Sequence, residues 1–238
     1  MIFAAILAGG IGSRMNLSDM PKQFLPLKDK PIIIHTLEKF LMCDKFDFFF
    51  VGVHPDWMLY MDDLIKKYCP QYRNKICTVP GGKDRNSTLS NVIENLEEKF
   101  GESDDHIIVT HDSVRPFVTM RMIDENIEAA KKYGACDTVI AATDTIVSSQ
   151  DGKFINDIPN RVEMYQGQTP QSFNVKLLKD LYNDLTVEEK EILTDACKIC
   201  TVRNKPVYLV KGAVSNMKLT TVTDYKIAQA LIGGISDD

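Results

Sequence analysis

The chain has 238 residues, of which 44% are hydrophobic and 26% charged, and its formal net charge is −5. This composition is typical of a folded globular protein and excludes disordered, collagen-like and disulfide-scaffold classes. The negative charge argues against a nucleic-acid-binding surface but leaves local sites for small anions open. The apolar N-terminus lacks the basic segment of a signal peptide, and no apolar run approaches the roughly 18 residues of a membrane helix. We therefore expect an unprocessed cytoplasmic protein that does not associate with membranes.

The first half of the chain alternates between predicted strands and predicted helices. Short apolar runs predict buried strands over residues 2–8, 48–53, 75–79 and 107–110. Apolar periodicity predicts helices over residues 32–42 (with Pro31 at the first helical position), 55–68, 87–100, and from the capping residue Thr119 to Gly134. This alternation predicts a three-layer α/β/α sandwich with a mostly parallel, mixed sheet.

The second half departs from that rhythm. Residues 138–148 and 153–158 flank the turn-forming pair Asp151-Gly152, which predicts a β-hairpin arm over about 138–160. Such an arm could pack between subunits or be an ordinary edge hairpin. A capping box at Thr186-Val-Glu-Glu189 predicts a short helix. Closing strands are predicted at 207–210 and 217–220, and Thr223 is predicted to cap the last helix. With no repeat or linker in the chain, we predict a single domain over residues 1–238.

Six cysteines are scattered through mostly apolar stretches, which favours reduced, buried thiols. Cys197 and Cys200 form a lone C-x-x-C pair. Without a second pair or nearby histidines, this pair cannot complete a tetrahedral zinc site.

Glycines and cations follow the first predicted strand. In Leu7-Ala-Gly-Gly-Ile-Gly-Ser-Arg14 the glycines let backbone N–H groups approach a phosphate chain, although a tight turn would also use them. The spacing fits neither a dinucleotide fingerprint nor a P-loop. Arg14 and Lys22 add two cations at the carboxyl end of this strand, where open α/β sheets bind ligands. Either cation alone would be interpreted as a solvated surface charge, but together with the glycines they favour a polyphosphate site.

Two further polar segments follow later strands. One of them is Gly81-Gly-Lys-Asp-Arg-Asn-Ser-Thr88. Its small polar groups could hydrogen-bond to the edge of a nucleotide base or cap the next helix. His111-Asp-Ser-Val-Arg-Pro116 places Asp112 at the end of the fourth strand, where it could hold Mg²⁺ or act as a capping or salt-bridged aspartate.

Eight motifs occur in the order found in one family. They are Leu7-Ala-Gly-Gly, Pro21-Lys-Gln, Gly81-Gly-x-x-Arg85, His111-Asp-x-x-Arg-Pro116, Asp144-Thr145, Arg161, Gln168-Thr-Pro-Gln171 and Thr194-Asp-Ala196. The chain resembles the cytidylyltransferases of the 2-C-methyl-D-erythritol 4-phosphate type over essentially its whole length. Ser113-Val114, Tyr165-Gln-Gly-Gln168 and Asp195-Ala-Cys-Lys198 depart from the methylerythritol branch. These departures favour the branch that acts on D-ribitol 5-phosphate in wall teichoic acid synthesis, with methylerythritol 4-phosphate as the alternative substrate.

The resemblance implies a nucleotidyltransferase fold and a role for each matching residue. Arg14 and Lys22 would stabilise the transition state, and Asp112 would hold Mg²⁺ or another divalent cation. Thr145, Arg161 and Lys218 would hold the polyol phosphate, the first two across a homodimer through the arm. CTP would be bound by Leu7, Ala8, Gly9, Gly10, Gly82, Lys83, Asp84, Arg85, Asn86, Ser87, Thr88 and Ser113.

Chemistry and partners follow from these roles. The attacking phosphate oxygen is already anionic, so the reaction needs charge neutralisation and alignment rather than a general base. His111 is interpreted as orienting its loop. A reductase that supplies ribitol 5-phosphate is a candidate partner. A nucleotide-binding regulatory module without turnover is the alternative from another functional class, although the retained cations argue against it.

Overall fold

The computed structural model describes residues 1–10 and 20–234, so the predicted catalytic residue Arg14 lies outside the described residues. Apolar, β-rich segments form the strands and amphipathic segments form the helices between them. The strands are β1 Ile2–Ala8, β2 Pro26–Leu27, β3 Lys30–Pro31, β4 Phe48–Val53, β5 Ile76–Pro80, β6 Ile107–Asp112, β7 Ala135–Ala141, β8 Tyr165–Asn174 and β9 Tyr208–Lys211. The helices are α1 Ile32–Leu41, α2 Met58–Tyr68, α3 Arg85–Phe100, α4 Met120–Tyr133, α5 Val175–Asn183, α6 Val187–Glu191, α7 Cys197–Val202 and α8 Val222–Gly234.

Seven of these strands form one sheet in the order β5-β4-β1-β6-β8-β7-β9. Neighbouring strands are parallel except where β8 pairs antiparallel with β6 and with β7. One face of the sheet packs on α1, α2 and α4, and the other on α3, α5 and α7. The predicted three-layer α/β/α sandwich with a mostly parallel, mixed sheet is confirmed.

The parallel strands end on one edge of the sheet, and their buried faces explain their sequences. All six residues of β4 and all six of β6 are buried, which explains the apolar run of β4 and of the first three residues of β6; β6 ends in the buried polar residues His111 and Asp112. Helix α4 begins at Thr119, whose hydroxyl accepts from Met122 N, and ends at Gly134 in the left-handed region, as predicted. The capping box at Thr186 is also present.

Four details of the sequence prediction are wrong or incomplete. Residues 217–220 lie outside the strands that the structure describes, although Leu219 N donates to Val114 O. Helix α8 is capped by Thr221, whose Oγ1 accepts from Asp224 N, rather than by Thr223. Strand β8 was missed because its glycine and proline interrupt the pattern expected of a strand. Pro31 is the N-cap of α1, one position earlier than predicted.

Residues 142–164, here called the arm, connect β7 to β8 and are mostly exposed. Asp151 Oδ1 accepts from Lys153 N and Phe154 N, and Gly152 has φ +70°, so the predicted turn is present. The predicted strand 138–148 corresponds to β7, which begins three residues earlier and ends at Ala141. The second predicted strand, 153–158, lies outside the described strands, and one isolated antiparallel bridge joins Ser148 and Asp157. The arm is therefore an exposed connection with little ladder hydrogen bonding.

Candidate functional site

A cleft of about 420 Å³ opens at the carboxyl ends of β1 and β6 and at the start of α3. Open α/β sheets bind ligands outside the carboxyl ends of their strands. The described residues that line the cleft are Leu7, Ala8, Gly9, Gly10, Lys22, Gln23, Gly82, Lys83, Asp84, Arg85, Thr88, Asp112, Ser113, Val114, Lys218 and Thr220. Most of the predicted nucleotide contacts, together with Lys22, Lys218 and Asp112, are thus brought together.

The first glycine loop is held from beneath by a buried glutamine. Gln23 Nε2 donates to Ala8 O and to Gly10 O, both at 2.9 Å, and the side chain is 2% exposed. A Cβ at Gly9 would lie 2.9 Å from Thr88 Oγ1, so only glycine fits there without a shift. Gln23 belongs to the Pro21-Lys-Gln motif, but the sequence pattern alone does not predict this supporting role.

The second glycine segment leads directly into α3. Asp84 Oδ1 accepts from Ser87 N at 2.7 Å, and Ser87 Oγ accepts from Asp84 N at 2.9 Å, which forms a capping box. Thr88 Oγ1 accepts from Gly82 N at 3.0 Å and donates to Asp84 O. These polar groups therefore cap the helix. The same hydrogen bonds place Gly82 and Thr88 at the cleft.

Two of the predicted nucleotide contacts lie elsewhere. Asn86 and Ser87 are outside the described cleft lining. Asn86 is a buried residue in the first turn of α3 and faces a smaller cavity of about 90 Å³ against α5 and α7. Ser87 is used by the capping box. Both predictions followed from neighbours in the motif rather than from the direction of each side chain on the first helical turn.

Asp112 is the electrostatic centre of the cleft. Its Oδ2 lies 2.9 Å from Lys218 Nζ and 3.5 Å from Arg115 Nε, and its Oδ1 lies 3.3 Å from Arg85 Nε. Burial alone would raise the pKa of Asp112, but Arg85, Lys218 and Arg115 together hold it well below its usual range. The carboxylate is therefore ionised and brings cations from three separate segments together.

A buried histidine fixes the backbone at this point. His111 Nε2 donates to Arg115 O at 3.1 Å, and burial lowers the pKa of His111 to about 4, so the ring is neutral. Thr169 Oγ1 accepts from Asp112 N at 3.1 Å and donates to His111 Nδ1 at 2.9 Å. These contacts support the interpretation of His111 as an orienting group.

Lys22 reaches the cleft from a short 3-10 helix, Lys22–Phe24. Phe24 anchors that helix, because its buried ring packs against Trp57 and Tyr60. Among the described lining residues, the cations Lys22, Lys83, Arg85 and Lys218 outnumber the acids Asp84 and Asp112. The cleft therefore favours an anionic ligand.

Thr145 and Arg161 lie on the arm, outside the described cleft lining of this chain. The Arg161 side chain is exposed and its Nη1 donates to Thr143 O at 3.0 Å. A single chain therefore brings Lys218 to the cleft without the other two predicted phosphate ligands.

Among the described residues, two places offer ligands for a metal ion. Mg²⁺ in nucleotide sites is held by one or two carboxylates together with phosphate oxygens and waters, and the carboxylate of Asp112 in the cleft fits that donor set. Asp137, Asp195 and Cys197 also place ligand atoms within 4.8 Å of one another. There Gln171 Nε2 already donates to Asp137 Oδ1 and Asp195 Oδ2, and burial raises the pKa of Cys197, so this group is satisfied without an ion.

The thiols agree with the sequence interpretation. All six cysteines are free, and five of them are buried. Burial raises the pKa of Cys200 to about 11, so its thiol stays protonated. Within residues 1–10 and 20–234, no helix combines the length and apolar character needed to cross a membrane.

Known proteins resemble the chain in sequence and in fold. Residues 2–234 match the family of 2-C-methyl-D-erythritol 4-phosphate cytidylyltransferases. A ribitol-5-phosphate cytidylyltransferase of Streptococcus pneumoniae serotype 2 is 54% identical over 232 residues, which is 98% of this chain and 99% of the relative. The 4-diphosphocytidyl-2C-methyl-D-erythritol synthase of Anaerococcus prevotii is 26% identical, with a TM-score of 0.78 over 98% of this chain and 96% of its own. The 2-C-methyl-D-erythritol 4-phosphate cytidylyltransferase of Francisella tularensis, 23% identical over 96% of this chain and 98% of its own, shares the fold with a TM-score of 0.77.

Proposed function

The chain belongs to the 2-C-methyl-D-erythritol 4-phosphate cytidylyltransferase family, and within it we propose that this enzyme joins CTP and D-ribitol 5-phosphate to give CDP-ribitol and pyrophosphate. One structural observation carries the reaction type: a cleft at the strand ends in which cations from separate segments surround one ionised aspartate. The choice of polyol phosphate is supported by the 54% identical pneumococcal relative.

The chemistry needs no nucleophilic side chain. A phosphate monoester oxygen of the polyol attacks the α-phosphorus of CTP, a P–O bond forms, and pyrophosphate leaves with the electrons of the broken bond. The barrier comes from bringing two anions together, so preorganised positive charge lowers it. Lys22 and Lys218 supply that charge from two walls of the cleft. Arg14 remains a predicted third donor from outside the described residues.

The glycine segments and Asp112 complete the nucleotide side. Backbone at Gly9, Gly10 and Gly82 would bind the triphosphate closely, since no side chain intervenes. Asp112 would hold the divalent cation, which we propose is Mg²⁺. When bound, Mg²⁺ supplies charge neutralisation on the phosphates.

The polyol side requires a second copy of the chain. We propose a homodimer in which Thr145 and Arg161 of each arm reach the cleft of the other copy. The arm carries exposed apolar side chains, with Phe154 74% and Val162 79% exposed, and burying such a patch favours association. The product would feed wall teichoic acid synthesis in the cytoplasm, and a reductase would supply ribitol 5-phosphate.

Pyrophosphate release tests the proposal directly. The enzyme is incubated with Mg²⁺, each of the four nucleoside triphosphates, and either D-ribitol 5-phosphate or 2-C-methyl-D-erythritol 4-phosphate. We expect release with CTP and D-ribitol 5-phosphate. Preferential release with methylerythritol 4-phosphate would assign the enzyme to isoprenoid synthesis instead, and CTP binding without release would indicate a regulatory module.

A further inference from the structure

Lys218 has an exposed side chain on a loop whose neighbouring residues are buried. The loop, residues 212–220, joins β9 to α8 and passes along the cleft. Asn216 and Leu219, which flank Lys218, are both 0% exposed, whereas the Lys218 side chain is 42% exposed. Buried residues therefore hold the backbone before and after this lysine, while its ammonium group faces the cleft.

Asn216 makes the upstream attachment through its side chain. Its Nδ2 donates to Thr169 O at 2.8 Å and to Gln168 Oε1 at 3.2 Å. Both acceptors belong to β8, in the centre of the sheet. The loop is thus tied to the sheet by an amide that lies outside the described cleft lining.

Gln168 also binds the first residues of this loop. Its Nε2 donates to Ala213 O at 2.9 Å. Space at this point is tight, because a Cβ at Gly212 would lie 2.5 Å from Gln168 Oε1 and 3.1 Å from Val139 O. Any side chain at Gly212 must displace Gln168 or the loop.

Arg115 connects this attachment to the cleft. Its Nη1 donates to Asn216 O at 2.8 Å, while its Nε lies 3.5 Å from Asp112 Oδ2, the atom that Lys218 also contacts. Downstream, Leu219 N donates to Val114 O at 2.9 Å. The position of the Lys218 ammonium relative to Asp112 therefore depends on how the loop is held at Asn216.

We propose that Asn216, together with Gln168, is a positioning residue that holds the Lys218 ammonium at the Asp112 edge of the cleft for the phosphate of the polyol substrate. This inference rests on the proposed function, because it takes Lys218 as a ligand of that phosphate. A lysine side chain loses conformational freedom when it binds, and a fixed backbone leaves less freedom to lose.

The test separates substrate affinity from fold stability. Asn216→Ala removes both Nδ2 bonds but keeps the carbonyl that Arg115 contacts. We expect the KM for D-ribitol 5-phosphate to rise roughly 10- to 100-fold, since small displacements of a binding group have effects of that size. The KM for CTP should stay within about twofold, because the nucleotide loops are held by other residues. Gly212→Ala, which crowds Gln168 without removing a polar group, should change the same KM in the same direction.

Asn126→Ala is the matched control. Asn126 is also 0% exposed, and its Nδ2 also makes two bonds, to Met122 O and Thr138 Oγ1, away from the 212–220 loop. It should lower the unfolding temperature without changing the KM for the polyol phosphate. If Asn126→Ala raises that KM as much as Asn216→Ala does, the effect is general destabilisation and the positioning role is overturned.

A double-mutant cycle asks whether Asn216 acts through Lys218. In a Lys218→Ala background, Asn216→Ala should change the KM for the polyol phosphate by less than about twofold, because interacting residues are non-additive. Additive effects, or an unchanged KM in both Asn216→Ala and Gly212→Ala, would overturn the proposal. Turnover of each polyol phosphate by the unsubstituted enzyme is measured first. If methylerythritol 4-phosphate is preferred, the proposed substrate is wrong and the same cycle, run with that substrate, still decides the role of Asn216.

Discussion

The cleft and the arm are built in opposite ways. In the cleft, buried polar side chains bind backbone far away in the sequence, as when Arg115 donates to Asn216 O or Gln23 to Ala8 O. In the arm, the hydrogen bonds that the structure describes join arm residues to one another, such as Arg161 to Thr143 O. One region is fixed by the core of its own chain, and the other projects from it.

This difference matches the two halves of the proposed reaction. The nucleotide must be held in one geometry, so its groups are preorganised by contacts that cost little to maintain during the reaction. The arm residues proposed to bind the polyol phosphate stand away from their own cleft. We infer that the nucleotide half of the site is complete in one chain and the polyol half is completed by a partner, and three experiments test that division.

The largest effect is expected from Lys22→Ala in the cleft. Removing one preorganised charge donor should lower kcat about 10²- to 10³-fold, because the developing negative charge loses a fixed partner. Fold stability should change little, since the core beneath Lys22 is formed by Phe24. Steady-state pyrophosphate release and thermal unfolding measure the two quantities.

Lys39→Ala supplies the control for that substitution. Lys39 is exposed in the last turn of α1, away from the described cleft lining. Its removal tests whether loss of any positive charge slows the enzyme. Turnover by Lys22→Ala close to that of Lys39→Ala would contradict the role of Lys22.

Much of the fold was predictable because its signals are local. The bounds of β1 and β4 were predicted to the residue, since a strand buried on both faces is an uninterrupted apolar run. Strand β8 was not, because its neighbours β6 and β7 lie far away in sequence and provide the pairing that outweighs Gly167 and Pro170. The short strand predicted at 217–220 is not among the described strands, because its buried apolar residue Leu219 anchors a loop and does not pair within the sheet.

The candidate site, like the fold, was predictable where its signals are local in the sequence. Glycines and cations after the strands identified the anion-binding segments, because conformational freedom and charge belong to residue types. The roles of Gln23, Arg115 and Asn216, which hold those segments in place, were not predicted. Their partners lie 13 to 101 residues away, and sequence spacing alone gives no indication of such contacts.

Subunit mixing tests the arm directly. Lys22→Ala and Arg161→Ala homodimers should both be weakly active. If Arg161 serves the partner's cleft, a mixed dimer contains one site with both defects and one intact site. Statistical exchange of the two variants should therefore restore about a quarter of the unsubstituted activity, because half of the dimers are mixed and each has one of two sites intact.

The mixing experiment can also contradict the proposal that the arm completes the site of a partner. If Arg161 acts on its own cleft, every site in every mixed dimer keeps one defect and no activity returns. Recovery well above that of either variant alone supports completion of the site by a partner. Mixing Lys22→Ala with Lys218→Ala is the control, since both residues line the same cleft and no recovery is expected.

The smallest effect concerns pH, which should act on the buried region and not on the arm. Burial lowers the pKa of His111 to about 4 from 6.5, so stability from this neutral ring is present above pH 6.5 and is lost as pH falls towards 4. Burial raises the pKa of Asp137 from 3.8 to about 7, so its contribution is present below pH 3.8 and is lost as pH rises towards 7. The two dependences oppose each other between about pH 4 and 6.5.

Asp137→Asn separates them, because it removes the carboxyl titration while keeping an acceptor for Gln171 Nε2. On acidification from pH 7 to 5.5 this variant should lose about 1 kcal/mol of unfolding free energy through His111, whereas the unsubstituted protein changes less. Asp151→Asn, in the exposed turn of the arm, should follow the unsubstituted protein. Denaturant unfolding at the two pH values measures all three proteins. A variant at 137 as insensitive to pH as the unsubstituted protein would mean that His111 is not held neutral by its burial, and the account of how Asp112 is oriented would have to change.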